Sequence, residues 1–341
     1  MADLQPQFIQ FENTIRVDRK IEKAVLVKKR ERILERLATG IAAQRREGLV
    51  IPSYSHRNQG SYAMDTGIKP LDGDYDLDVA LIFDFRTTAR PDPVTVKGWV
   101  HAAVEGHTSE VRWREPCVTV FYKRRDEPIY HVDLAVYAKD LNGTYLARGR
   151  RNAQAEARSW EPSDPAGLVE AIRMRFSDSE EQGQFRRCIR YLKRWKDHNL
   201  PSEGNEAPRG IALTACAHRW FLPKLDYHPD SSTPRPNDHA ALQALVGQIV
   251  GRFDGRGQLD VTLPVPPGNN LFEMMSDRQL EVFKAKLERL HAALEDASRD
   301  PDPHTAAAAL TKVLGPDFPV PDKPSTARKR SPGYVSSGNA G

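Results

Sequence analysis

At 341 residues, with 39% apolar and 28% charged side chains, the chain has the composition of a soluble globular protein long enough to bury a core in two lobes. A formal net charge of +4 is too slight to mark a nucleic-acid binder by itself, and no apolar run approaches the roughly 20 residues of a membrane span. Cys117, Cys188 and Cys216 lie far apart in apolar surroundings, which argues against a zinc cluster or disulfide framework. They read as reduced thiols of a cytoplasmic protein, and the opening MADLQPQF lacks the apolar stretch of a secretion signal.

Residues 7–46 are predicted as one or two helices, with Ile33, Leu34, Leu37 and Ile41 at helical spacing and a solvated basic face at 28–32. Gly48 ends this segment, and a short strand is expected at 49–51 before a turn at Gly60 and Ser61. From Tyr75 the chain alternates as a strand, with Asp76, Asp78, Ala80 and Ile82 on one face and Leu77, Val79, Leu81 and Phe83 on the other. A loop at 86–93, a helix over 94–104 and a strand over 116–122 follow. A turn at 125–127 then leads into a strand over 129–138, where His131, Asp133, Ala135 and Tyr137 share a face.

Residues 139–160 are mixed polar sequence, expected as an active-site rim. Ser163 or Asp164 is placed to cap a helix that Pro165 begins, and the chain is mostly helical from there. The helix over 185–199 turns Cys188, Tyr191, Leu192 and Trp195 to a core and leaves Arg187, Arg190, Lys193 and Arg194 for a basic solvent side. An apolar helix at 209–221 precedes a turn-rich loop at 228–238. Helices at 239–253 and 276–298, an extended connector between them and an alanine-rich helix at 304–313 complete the fold. From about Pro321 the tail has little to bury and is expected to be disordered.

The chemistry lies between residues 60 and 133. Two carboxylates side by side on a strand, Asp76 and Asp78, cost free energy unless a cation sits between them, and hard oxygen ligands suit Mg²⁺. The Gly60-Ser61 turn supplies N–H groups and a hydroxyl suited to phosphate oxygens. Asp133, the acidic residue of its strand, provides the third carboxylate of a two-metal centre for in-line nucleotidyl transfer. His131 and Tyr137 read as packed core residues, and His101 and His107 as surface residues. No Gly-x-x-x-x-Gly-Lys-Ser/Thr loop is present, so P-loop chemistry is excluded.

This ordered set resembles the signature of the CD-NTases, bacterial relatives of cyclic GMP-AMP synthase among the polymerase-β-like nucleotidyltransferases. The matching positions are Gly60 and Ser61; Thr66, Ile68, Lys69 and Pro70; Asp76 and Asp78; and Asp133. Asp65 departs from the pattern, standing where relatives often carry glycine. The resemblance covers all but the last twenty or so residues. It implies an α/β (α+β) fold: a nucleotidyltransferase lobe with a central mixed sheet (1–165) and a helical lobe (166–318), with the active site in the cleft between the lobes; residues 319–341 form the tail that composition predicts to be disordered.

The resemblance further implies two Mg²⁺ or Mn²⁺ ions on Asp76, Asp78 and Asp133, NTP substrates such as ATP and GTP, and Lys193 on the triphosphate. The product would be a cyclic di- or trinucleotide signal in anti-phage defence, diffusing to an effector. An E1/E2-like enzyme conjugating the chain through Gly341 is a further expected partner, and neither membrane nor nucleic acid is. Two alternatives stand beside this reading: a nucleotidyltransferase modifying RNA or protein, and a non-catalytic nucleotide or RNA sensor.

Overall fold

The structure, a computed structural model, describes residues 2–17, 22–124, 127–201, 206–227 and 233–323. Helices α1 (Gln5–Ile15) and α2 (Glu22–Arg46) lead to strand β1 (Tyr54–Asn58), the single turn α3 (Gly60–Ala63) and strand β2 (Tyr75–Asp84). Helix α4 (Pro93–Val104) follows, then strands β3 (Glu110–Trp113), β4 (Cys117–Arg124), β5 (Glu127–Asp140), β6 (Gly143–Arg148) and β7 (Ser159–Pro162). The rest is α5 (Pro165–Arg173), α6 (Ser179–Asn199), α7 (Gly210–Trp220), the two-residue strands β8 (Leu225–Asp226) and β9 (Arg235–Pro236), α8 (Asp238–Val250), α9 (Asp277–Arg299) and α10 (Pro303–Leu314).

Seven strands form one mixed sheet in the order β1-β2-β5-β4-β3, with β6 pairing the far half of β5 and β7 pairing β6. Among the described strands of this sheet, β2 and β5 run parallel and the other pairs are antiparallel. Side-chain alternation sorts the two faces. Leu77, Val79, Leu81 and Phe83 of β2, with Val132, Leu134 and Val136 of β5, pack beneath Ile33, Leu37 and Ile41 of α2 and Val96 and Val100 of α4. The two helices approach closely at Gly40, where a Cβ would stand 2.5 Å from the Ala103 backbone. The opposite face is less apolar, with a small cluster of Ala80, Cys117, Ala135 and Tyr137 and the buried Phe121 beside His131, and it turns its carboxylates to a cleft.

A second core is helical. Phe185, Cys188, Ile189, Tyr191, Leu192 and Trp195 of α6 pack with α7 through α10. Phe8 and Phe11 of α1 join it, each ring centroid 5.3 Å from that of Tyr191. Asp164 caps α5 by accepting from Gly167 N, as its position before Pro165 predicts. All three cysteines are buried and unpaired. No helix among the described residues is long and apolar enough to cross a membrane.

Several local expectations are corrected. Residues 49–51 are not a strand: Val50 is 81% exposed, and the edge strand is Tyr54–Asn58 instead. Its sequence, YSHRN, has no apolar alternation because an edge strand is held by backbone pairing. Residues 139–160 are not simply rim, since they contain β6 and the start of β7. His101 is 8% exposed and lies against the Trp113 ring, not at the surface. The turn at 125–126, part of the 228–238 loop and the C-terminal residues through Gly341 lie outside the described residues.

Candidate active site

Parallel pairing of β2 and β5 sets Asp76 opposite His131 and Asp78 opposite Asp133. Because side chains repeat every second residue, all four project from the same face. Asp76, Asp78 and Asp133 line one cleft of about 760 Å³ together with Gly60, Ser61 and Lys193. The six residues singled out in the sequence are thus brought together. The Gly60 turn lies directly on the Asp78 carboxylate, and Gly60 has φ +65°, a conformation that side chains resist.

The segment 65–69, between that turn and β2, is held by α6. Arg190 donates to the Asp65 carbonyl, Lys193 Nζ to the Thr66 carbonyl at 3.0 Å, and Arg194 Nη2 to the Lys69 carbonyl at 2.8 Å. Positions 190, 193 and 194 share one helix face by their spacing. The expected basic solvent side is therefore wrong for these three, which are 3%, 7% and 4% exposed. They are buried because each has a partner: Glu12 takes Arg190 in a two-pronged pair, and Asp317 lies 3.1 Å from Arg194 Nε. Asp65 is the one non-glycine residue at positive φ among those described, at +57°, which explains why glycine suits the position. Here its carboxylate pairs with Arg16 and Arg186, each at 3.3 Å.

The electrostatics of the cleft are unbalanced in both signs. Burial first, and then the Asp133 carboxylate, push Asp76 up to about 7. Half of the Asp76 side chain still meets solvent, so water screens part of this, while Asp78 is driven well above the carboxylate range by burial and then by Asp76 and Asp133. Across the cleft, burial followed by the nearby charges of Arg190 and Lys196 push the Lys193 ammonium down to about 7. Asp133 Oδ1 is enclosed yet accepts no hydrogen bond. Enclosed, partnerless carboxylate oxygen beside like charge fits a hard dication. One ligand atom from each of Asp76, His131 and Asp133 lies within 4.8 Å of the others.

Sequence reasoning set His131 aside as merely packed. It does pack, tilted against Phe121 at 5.4 Å, but its Nδ1 lies 3.0 Å from Asp74 Oδ1 and its Nε2 3.4 Å from Asp76 Oδ1. Its place two residues before Asp133 on a shared strand face was the available signal. Tyr137 is buried as expected, and its hydroxyl donates to Gln59 Oε1 at 3.0 Å on the cleft wall. Arg114, Lys196 and Arg209 also line the cleft, and nothing in their local sequence sets them apart.

A mixed sheet presents its carboxylates to a cleft walled on the other side by the helical region. Residues 55–137 match the family model for the nucleotidyltransferase domain of cyclic GMP-AMP synthase DncV-like proteins. Over nearly the whole chain the fold is similar to that of three solved structures. The Vibrio cholerae DncV cyclic AMP-GMP synthase, a prokaryotic cGAS homologue, is 16% identical with a TM-score of 0.69, 92% of this chain covering 96% of that one. E. coli MS115-1 CdnC, solved with ATP, is 16% identical with a TM-score of 0.67, over 93% of this chain and 99% of that one. The Bradyrhizobium diazoefficiens CD-NTase CdnG, solved with GTP, is 15% identical with a TM-score of 0.63, over 92% and 96%. Residues 55–137 thus match a DncV-like nucleotidyltransferase domain, and the fold of the whole chain is similar to that of these CD-NTases.

Proposed function

We propose that the protein joins nucleoside triphosphates into a cyclic di- or trinucleotide signal, acting in the cytoplasm in anti-phage defence. The observation that carries this is the meeting of Asp76, Asp78 and Asp133 on one sheet face, in a cleft large enough for nucleotides, within a DncV-like domain. The catalytic lobe would be 1–165 and the helical lobe 166–318, with α1 crossing to the helical core.

Asp76, Asp78 and Asp133 would hold two Mg²⁺ or Mn²⁺ ions, which supply Lewis-acid activation of the attacking ribose hydroxyl and neutralise the leaving pyrophosphate. The chain's own groups do the rest. Asp133 orients the hydroxyl and takes up its proton as the hydroxyl oxygen bonds to the α-phosphorus of the second NTP. Ser61 donates its hydroxyl to a phosphate oxygen, and the tight turn at Gly60 leaves room for that approach. Lys193, deprived of water beside two other cations, regains full charge against a triphosphate and acts on it as a point charge. A second or third transfer in the same cleft closes the ring. ATP and GTP are the substrates to try first, since similar proteins were solved with them.

The test is to incubate the purified protein with the four labelled NTPs and Mg²⁺ or Mn²⁺, then weigh phosphatase-resistant products by mass spectrometry. Cyclic products are expected. Linear products only, or label on RNA or protein, would move the assignment to a non-cyclising transferase; no turnover with tight RNA binding would make the protein a sensor.

A further inference from the structure

We propose that His131 is itself a metal ligand through Nε2, and that this makes the centre favour Mn²⁺ over Mg²⁺; the inference rests on the divalent-metal reading of the cleft. The tautomer comes first. A carboxylate can only accept, so the 3.0 Å contact between Asp74 Oδ1 and His131 Nδ1 places a hydrogen on Nδ1. In the neutral ring Nε2 then keeps its lone pair and faces Asp76 Oδ1 at 3.4 Å. Two lone pairs facing each other repel unless a proton or a metal ion lies between them, and above about pH 7 the metal ion is the group that can stay there. Neighbouring ligands of one octahedral ion, with bonds of about 2.1 Å, stand about 3 Å apart, so a small inward movement closes this pair on a single ion.

Asp133 supplies the third ligand atom of the group, all within 4.8 Å. Phe121, the register partner of His131 on β4, covers the ring, whose side chain is 13% exposed, and limits its rotation. A carboxylate bound to the far nitrogen of a ligating imidazole is the usual support for such a ligand, since it fixes the tautomer and raises basicity. Asp74 occupies that place. Imidazole nitrogen binds first-row transition dications more readily than Mg²⁺, which prefers oxygen, and this sets the order of preference.

The competing arrangement is an imidazolium held between Asp74 and Asp76 with no ion on the ring. Electron-spin-echo spectroscopy of full-length protein loaded with Mn²⁺ alone separates the two. Modulation from a directly bound imidazole nitrogen is expected in the wild type and absent from His131→Gln. In titrations, His131→Gln should lose Mn²⁺ affinity about 10-fold or more while Mg²⁺ affinity changes little, because the amide oxygen suits Mg²⁺. Asp74→Ala should weaken Mn²⁺ about 10–100-fold without removing a ligand atom. Bound Mn²⁺ with no nitrogen modulation in the wild type overturns the ligand assignment and leaves the carboxylate centre standing. No Mn²⁺ bound at millimolar concentration, with or without ATP, overturns both.

Discussion

A Cβ built on Gly60 would stand 1.7 Å from Asp78 Oδ2. The turn and the carboxylate therefore occupy one another's space, and only a residue without a side chain lets the turn close over Asp78. The same residue sits at φ +65°, so two independent constraints select glycine there.

Gly60→Ala should cost about 1–2 kcal/mol from the left-handed backbone alone, with more from displacing Asp78. Urea unfolding measures the first effect and Mn²⁺ titration the second. We expect metal binding and NTP turnover to fall far more than stability. A variant with normal turnover would show that the turn need not touch Asp78.

The double change Asp76→Asn with Asp78→Asn should abolish nucleotidyl transfer and leave the fold intact. It removes two of the three crowded carboxylate charges, so the metal-free thermal midpoint should hold or rise. Near-normal product from the purified double variant would refute the site.

A pH dependence follows from Asp76. Its folded value of about 7 stands above the ordinary 3.8, and Asp78 is shifted the same way. Between these limits the folded apo-protein holds more protons than the unfolded chain, so this contribution to stability is present at low pH and is lost as pH rises toward about 7. A bound dication reverses the preference by stabilising the ionised carboxylates. Mn²⁺ should thus raise the thermal midpoint strongly near about pH 8 and little near about pH 5. Equal shifts at both would contradict the assignment.

Lys193→Ala and Ser61→Ala should each weaken NTP binding by about 1–3 kcal/mol. Lys193 also ties down Thr66, so a stability measurement must accompany the binding one. Loss of stability with unchanged NTP affinity would make Lys193 a strut only.

Glu12 and Arg190 form a buried pair, 4% and 3% exposed, joining α1 to α6. Glu12→Leu alone should destabilise by about 3–5 kcal/mol, since it strands the guanidinium. Adding Arg190→Leu should recover a large part of that loss in urea unfolding, because no unpaired charge remains.

The core strands and the carboxylates were legible in the sequence because strand alternation is local. Once Tyr75 begins a strand, Asp76 and Asp78 must share a face and Leu77 and Val79 must share the other. The helices of the second half were legible for the same reason, their apolar positions recurring at helical spacing.

Only the tertiary structure decided what depends on register and on partners distant in sequence. Nothing near Asp133 states that β5 lies parallel to β2 with Asp133 opposite Asp78, or that His131 thereby faces Asp76. A basic helix face looks the same in sequence whether it meets water or protein. Arg190, Lys193 and Arg194 are buried because Glu12, the segment of Thr66 and Lys69, and Asp317, from three other places in the chain, come to meet them. Local spacing determines which side chains share a face; what that face meets is set by the free energy of the assembled fold, where a buried charge survives only with its partner.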